Sequence, residues 1–195
     1  MGWKTKWLGL AGLVVLLDQA TKLAAERWLT YHQALPVFPG FNLTLSYNRG
    51  AAFSFLAEHS GWQRWFFTVL AAAVSVFLVR WLRQIGDRDR WLSAAIALIL
   101  GGAVGNLIDR LLYGHVIDFI WLYYDRWSWP VFNIADSAIT VGAVAMIAHM
   151  GAGLRELAQA FFELMTVRGT LHSLIFIVFL MLSHTALSQR INPLL

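Results

Sequence analysis

WLSAAIALILGGAVGNLIDRL, residues 91–111, decides how this chain is read. A helix needs about 20 mostly apolar residues to cross the hydrocarbon core of a bilayer. This stretch supplies them and opens on a tryptophan, a ring that favours the headgroup level. Its far end breaks the pattern, because Asn106, Asp109 and Arg110 fall at i, i+3 and i+4 and share a helix face. Ionisable groups at membrane depth are costly, so they are usually retained for a task and turned toward a bundle interior or a water-filled cavity. Two readings fit the spacing: a polar network tying helices together, or a place for Asp109 in the chemistry itself.

Working outward, residues 7–25, 62–82 and 132–152 also qualify as spans. The whole chain agrees: 58% of its 195 residues are hydrophobic, 13% are charged and the mean hydropathy is +0.59, too apolar for a soluble domain of this length. Most of its tryptophans stand where apolar runs begin or end. The expected fold class is therefore an all-α polytopic membrane protein, a four-helix transmembrane bundle occupying residues 1–152. Residues 153–195 form a C-terminal extension, with residues 171–187 a candidate fifth helix that is either a further span or a surface-lying segment. Lys4 and Lys6 ahead of an apolar run resemble a signal peptide, but no small-x-small cleavage site follows, so this run is expected to stay as the first span.

The composition also excludes chemistry. Without cysteine there is no disulfide, no thiolate nucleophile and no Cys-ligated metal centre. The six histidines show no metal-ligand spacing, so no metal and no cofactor is expected. A net charge of +4, spread over short loops, forms no basic block that would suggest nucleic acid.

Orientation follows from the loops. The connection from Arg80 to Arg90 is short and arginine-rich, and with Lys4 and Lys6 it belongs on the cytoplasmic side. The loops after the first and third spans then face outward. In the first of these, residues 41–47 (FNLTLSY) alternate strictly between apolar and polar, the period of a half-buried strand. Asn48, Arg49 and Gly50 supply a turn, and residues 51–56 either return as a second strand or lie along the membrane. A small outer β-hairpin near residues 37–57 is the expectation.

With this orientation the polar residues gather at the outer side. Asp18 and Lys22, at i and i+4, are expected to pair at the end of the first span. Asp118 lies nine positions beyond Asp109, and a continuing helix would carry it about 13 Å further into water. Gly114 offers a stop from which the chain can turn back. Asp136 sits about one turn into the fourth span, which starts at the same interface. These two carboxylates therefore reach similar depth. Close together they cannot both ionise cheaply, and they tend to share one proton. One can then act as general base on a water while its protonated partner polarises a scissile carbonyl.

Five segments resemble the lipoprotein signal peptidases, the signal peptidase II family: 17–22 (LDQATK), 48–53 (NRGAAF), 101–110 (GGAVGNLIDR), 114–119 (GHVIDF) and 132–137 (FNIADS). The resemblance spans about the first four-fifths of the chain. It implies an aspartyl endopeptidase of the bacterial inner membrane, multi-pass with a cytoplasmic N-terminus and a site near the outer face. Its substrate would be a prolipoprotein carrying diacylglycerol on a cysteine, cut on the N-terminal side of that residue. Matched residue by residue, Asp118 and Asp136 look like the catalytic dyad, and Asn106, Arg110 and Asn133 look like residues that place the substrate or support the dyad. Asp18, Lys22, Asn48 and Gly50, with Asp109, look like motif residues for stability or binding. The implied partners are the lipid-modified precursor and membrane phospholipid, with the enzyme acting as a monomer. Arg49 departs from the family pattern, where a smaller polar residue is familiar, and so does the tail from about Gly153 onward.

Two rival classes make different demands. A proton-coupled carrier needs polar groups distributed through the bilayer, or inverted repeats with broken helices; clustering at one side and the absence of a repeat count against it. A non-catalytic scaffold would tolerate Asp118→Asn.

Overall fold

The computed structural model describes residues 3–49 and 62–149, with side chains from residue 6 and, after the gap, from residue 64. Gly50, the expected return strand at 51–56 and the extension 153–195 lie outside the described residues. Among the described residues there are four helices: α1 (Trp3–Trp28), α2 (Trp62–Ile85), α3 (Arg90–Leu112) and α4 (Ile134–His149). The first three are long and apolar enough to cross a membrane. The fourth is apolar too, but its 16 described residues are fewer than a full span needs.

Helix α3 is the axis of the assembly, packed against α1, α2 and α4. Glycines make two of those crossings close. A Cβ on Gly101 would stand 2.6 Å from the Val14 Cβ of α1, and one on Gly102 would collide with the Ala135 carbonyl of α4. Gly142 returns the fit, since a Cβ there would meet the Ala95 carbonyl at 2.6 Å. Small residues that let backbones approach replace the hydrophobic driving force that lipid removes. The dry core between these helices includes Leu78, Leu82, Ile96, Ile99, Ala143 and Met146. The large side chains left outside, among them Leu13, Leu16 and Leu23 on α1 and Trp65, Val69 and Val76 on α2, form an apolar flank that suits lipid.

The expectation of an all-α protein with a hairpin is corrected by a four-stranded antiparallel sheet at one end of the bundle, in the order β1-β2-β3-β4. Its strands are β1 (Leu35–Phe38), β2 (Phe41–Asn48), β3 (Val116–Tyr124) and β4 (Trp127–Ser128). The alternating run at 41–47 is indeed a strand, but its described partners lie elsewhere than residues 51–56. One is β1, reached through a tight turn at Pro39 and Gly40 (φ 89°); the other is β3. Pro36 removes a ladder donor and so hid β1, although an edge strand tolerates it. Strand β3 was hidden by being apolar almost throughout, with no alternation to mark a period.

The register of β2 on β3 shifts between Leu43↔Ile120 and Ser46↔Asp118, so two residues of β2 oppose Phe119 alone. This bulge falls beside Asp118, and bulges re-aim the side chains next to them. The opposite end of the bundle is tied by simpler contacts. Trp7 Nε1 donates to Asp87 Oδ1 (3.0 Å), Asp89 caps α3 by accepting from the Leu92 amide (3.0 Å), and His149 at the end of α4 reaches Asp89.

Candidate active site

The end of α1, the last turns of α3, the base of β3 and the first turn of α4 meet in one buried polar network. Every buried charged side chain among the described residues belongs to it: Asp18, Lys22, Asp109, Asp118 and Asp136. On one side sits an ion cluster. Lys22 Nζ lies 2.8 Å from Asp18 Oδ2 and 2.8 Å from Asp109 Oδ2, and it also donates to Asn106 Oδ1 (3.0 Å). The expected i, i+4 pair on α1 is therefore present, with Asp109 of α3 as a third member.

Both carboxylates of the cluster reach beyond it to backbone. Asp18 Oδ1 accepts from the Ala135 amide at the start of α4 (2.8 Å), and Asp109 Oδ2 accepts from the Ile117 amide in β3 (3.1 Å). Gln19, which lies inside a family-like motif but was not singled out as a site residue, donates to Asp109 Oδ1 (2.8 Å) and to the Gly105 carbonyl (3.2 Å). Its position one residue after Asp18 was the available signal.

On the other side sit Asp118 and Asp136. Asn133 joins them: its Nδ2 donates to Asp118 Oδ1 (2.7 Å), while its Oδ1 accepts from the Asp136 amide (2.8 Å). The second of these bonds is an N-cap, with the amide of the third helical residue satisfied by the side chain just before the helix. Asn133 is thus both the cap that starts α4 and the donor that holds Asp118. Asn106 Nδ2 donates to Asp136 Oδ1 (2.8 Å), and Asn48 at the end of β2 hydrogen-bonds the Asp118 side chain.

Arg110, half-buried, lays its guanidinium 5.9 Å from the Phe67 ring centre, and its charge acts on Asp136, Asp118 and Asp109. One atom is left over. Asp136 Oδ2 is buried with no hydrogen-bond partner among the described residues.

Asp118 is only 2% exposed. Burial, and after it the nearby Asp136 charge, push its carboxyl well above the usual range, against the pull of Lys22, Asn48 and Asn133. Such a group keeps a proton where an ordinary aspartate has lost it. Among the described residues no group of three or more His, Asp or Glu is arranged to hold a metal ion.

The structure thus brings together Asp18, Lys22, Asn48, Asn106, Asp109, Arg110, Asp118, Asn133 and Asp136. The family model described as signal peptidase (SPase) II matches residues 10–152. The chain belongs to the signal peptidase II family. Family relatives include the lipoprotein signal peptidase of Pseudomonas fluorescens strain Pf-5, 55% identical over 74% of this chain and 86% of that protein. Another, from Cupriavidus taiwanensis, is 57% identical over 72% of this chain and 80% of that protein. Among solved structures, a bacterial membrane enzyme determined by the in meso method at 2.3 Å superposes with a TM-score of 0.63 at 33% identity, covering 74% of this chain and 87% of that one. As a peptidase family, it accommodates the clustering at one end of the bundle of every buried charge among the described residues, which a relay through the bilayer would not produce.

Proposed function

We propose that this protein is an aspartyl endopeptidase of the bacterial inner membrane that removes the signal peptide from diacylglyceryl-modified lipoprotein precursors. It cuts on the N-terminal side of the lipidated cysteine. The observation that carries this reading is the pair Asp118 and Asp136, two buried carboxylates bridged by Asn133 and, among the described residues, without a direct ion pair. The relatives named lipoprotein signal peptidase support the substrate class.

In this mechanism the pair holds one proton between its members. The ionised carboxylate takes a proton from a water as that water's oxygen attacks the scissile carbonyl carbon. The protonated one donates a hydrogen bond to the carbonyl oxygen. Collapse of the tetrahedral intermediate breaks the C–N bond as the leaving amine takes the proton that the first carboxylate removed from the water, so one water is added across the peptide and the pair again holds one proton. Asn106 and Asn133 hold the carboxylates by one oxygen each. Arg110 and Asn48 serve substrate placement, and Asp18, Lys22 and Asp109 keep the helices in register.

The site faces the outer leaflet and the N-terminus is cytoplasmic. Support comes from the arginine-rich connection between α2 and α3 at the end away from the sheet. A monomer is sufficient, since the whole network is built from one chain, and the apolar flanks of α1 and α2 pack against phospholipid.

The test is gel-shift cleavage by purified protein of a precursor with and without diacylglyceryl on its cysteine. Wild type is expected to cut only the lipidated form, and Asp118→Asn and Asp136→Asn to cut neither. Cleavage by Asp118→Asn, or no cleavage of either precursor by wild type, overturns the assignment.

A further inference from the structure

We propose that Arg64, on the first turn of α2, is a positioning residue for the Asp118 strand. It lies outside every motif noted in the sequence. Yet its guanidinium reaches across to the end of α3, where Nε donates to the Arg110 carbonyl (3.0 Å) and Nη2 to the Leu111 carbonyl (2.9 Å). The last carbonyls of a helix have no partner within it, and a basic side chain there both satisfies them and complements the helix dipole.

The same guanidinium underlies the turn that follows. Gly114 has φ +80°, and a Cβ on it would stand 3.1 Å from Arg64 Nη1, so both the backbone angle and the space favour glycine. Two residues later β3 begins, and Asp118 is its third residue.

The turn between α3 and β3 is thereby clamped from two directions. From inside the bundle, Asp109 accepts from the Ile117 amide through Oδ2, and its backbone carbonyl accepts from the Tyr113 amide (2.7 Å). From α2, Arg64 holds the carbonyls of Arg110 and Leu111. Arg110 is the residue whose charge acts on both carboxylates of the pair. Arg64 therefore fixes the backbone of one site residue and the approach of another without touching either carboxylate. Its own backbone is steadied by Thr68, whose Oγ1 donates to the Arg64 carbonyl (2.7 Å).

As a positioning role in peptide cleavage the inference rests on the proposed function, but its geometric part is testable without substrate. Hydrogen exchange on full-length Arg64→Ala in lipid nanodiscs is expected to show faster exchange in peptides covering 113–119 and none of that change in 92–104 or 134–149. Cleavage of the lipidated precursor should lose about ten-fold in kcat with KM nearly unchanged, as expected for a small misplacement of reacting groups. Guanidinium at concentrations too low to denature should restore part of that rate where an equal concentration of sodium chloride does not. Arg64→Lys, a point donor in place of a fork, should recover only part.

Asp89→Ala, which weakens the other end of α3, is the control for loss of stability alone. Unchanged exchange at 113–119 overturns the proposal, as does a kcat loss equalled by Asp89→Ala at the same melting temperature. If wild type cuts no lipidated precursor, the peptidase reading falls, and the exchange result still decides whether Arg64 holds the turn.

Discussion

The polar end of this bundle holds two pairs of acidic side chains, and they are treated in opposite ways. Asp18 and Asp109 share Lys22 at 2.8 Å each and spend their remaining oxygens on backbone amides and Gln19. Asp118 and Asp136 receive amides from Asn133 and Asn106, and one of their oxygens has no partner among the described residues. Buried ions are tolerable when paired and fully hydrogen-bonded. The first pair meets that condition and holds three helices together. The second does not among the described residues, and a pair costly to hold as two anions is what the proposed proton transfer requires.

The sharpest way to break the comparison is to neutralise one member of the second pair. Asp118→Asn and Asp136→Asn are each expected to lower cleavage by about 10³-fold or more, within the range that a general acid or base contributes. Stability should move the other way for Asp118. With its folded pKa raised, the folded state binds more protons than the unfolded chain, so stability is lost as pH rises through that pKa. Removing the charge removes the loss, and Asp118→Asn should melt higher than wild type at pH 8 and gain less at pH 4. A lower melting temperature at pH 8 would mean that Asp118 belongs with the neutralised pair.

The converse test removes the cation. Lys22→Met leaves Asp18 and Asp109 buried without it and should cost about 3–5 kcal/mol, read from unfolding in detergent. If the protein keeps its stability, the ion cluster is not what joins α1 to α3.

A subtler change presses on the cluster from its packing side. A Cβ on Gly105 would stand 2.6 Å from Asp18 Oδ2. Gly105→Ala should cost about 1–3 kcal/mol by overpacking, and an Asp18→Ala background that relieves the contact should shrink that penalty.

The smallest effect belongs to the far end. Asp89→Ala removes the N-cap of α3 and should cost about 1 kcal/mol with kcat unaltered, because none of the described residues at that end touches the carboxylates.

Much of this was legible in the chain. The apolar lengths marked three of the spans, and the i, i+4 spacing of Asp18 and Lys22 predicted their pair because both partners lie on one helix. The alternation at 41–47 marked β2. Its neighbours were illegible for two reasons. The proline in β1 argues against a strand anywhere but an edge, and the near-continuous apolarity of β3 carries no period. Asp109 could be placed neither with the ion cluster nor with the reactive pair, since that depends on whether Lys22 of α1 or Asp118 of β3 lies across from it.

Arg64 was invisible for the same reason. Its partners are backbone carbonyls of another helix, which leave no mark on sequence.

What the sequence by itself determined is whatever follows from the chain's own periodicity and chemistry. That comprises a membrane-embedded helical protein, a carboxylate-rich region at one end and the exclusion of thiol chemistry. What only the tertiary structure decided is which carboxylates lie against Lys22 and which lie against Asn133 and Asn106 instead. The physical reason is that charge compensation acts over a few ångströms, and those distances are set by how closely α1, α3 and α4 cross at Gly101, Gly102 and Gly105. Spacing along one helix cannot report them.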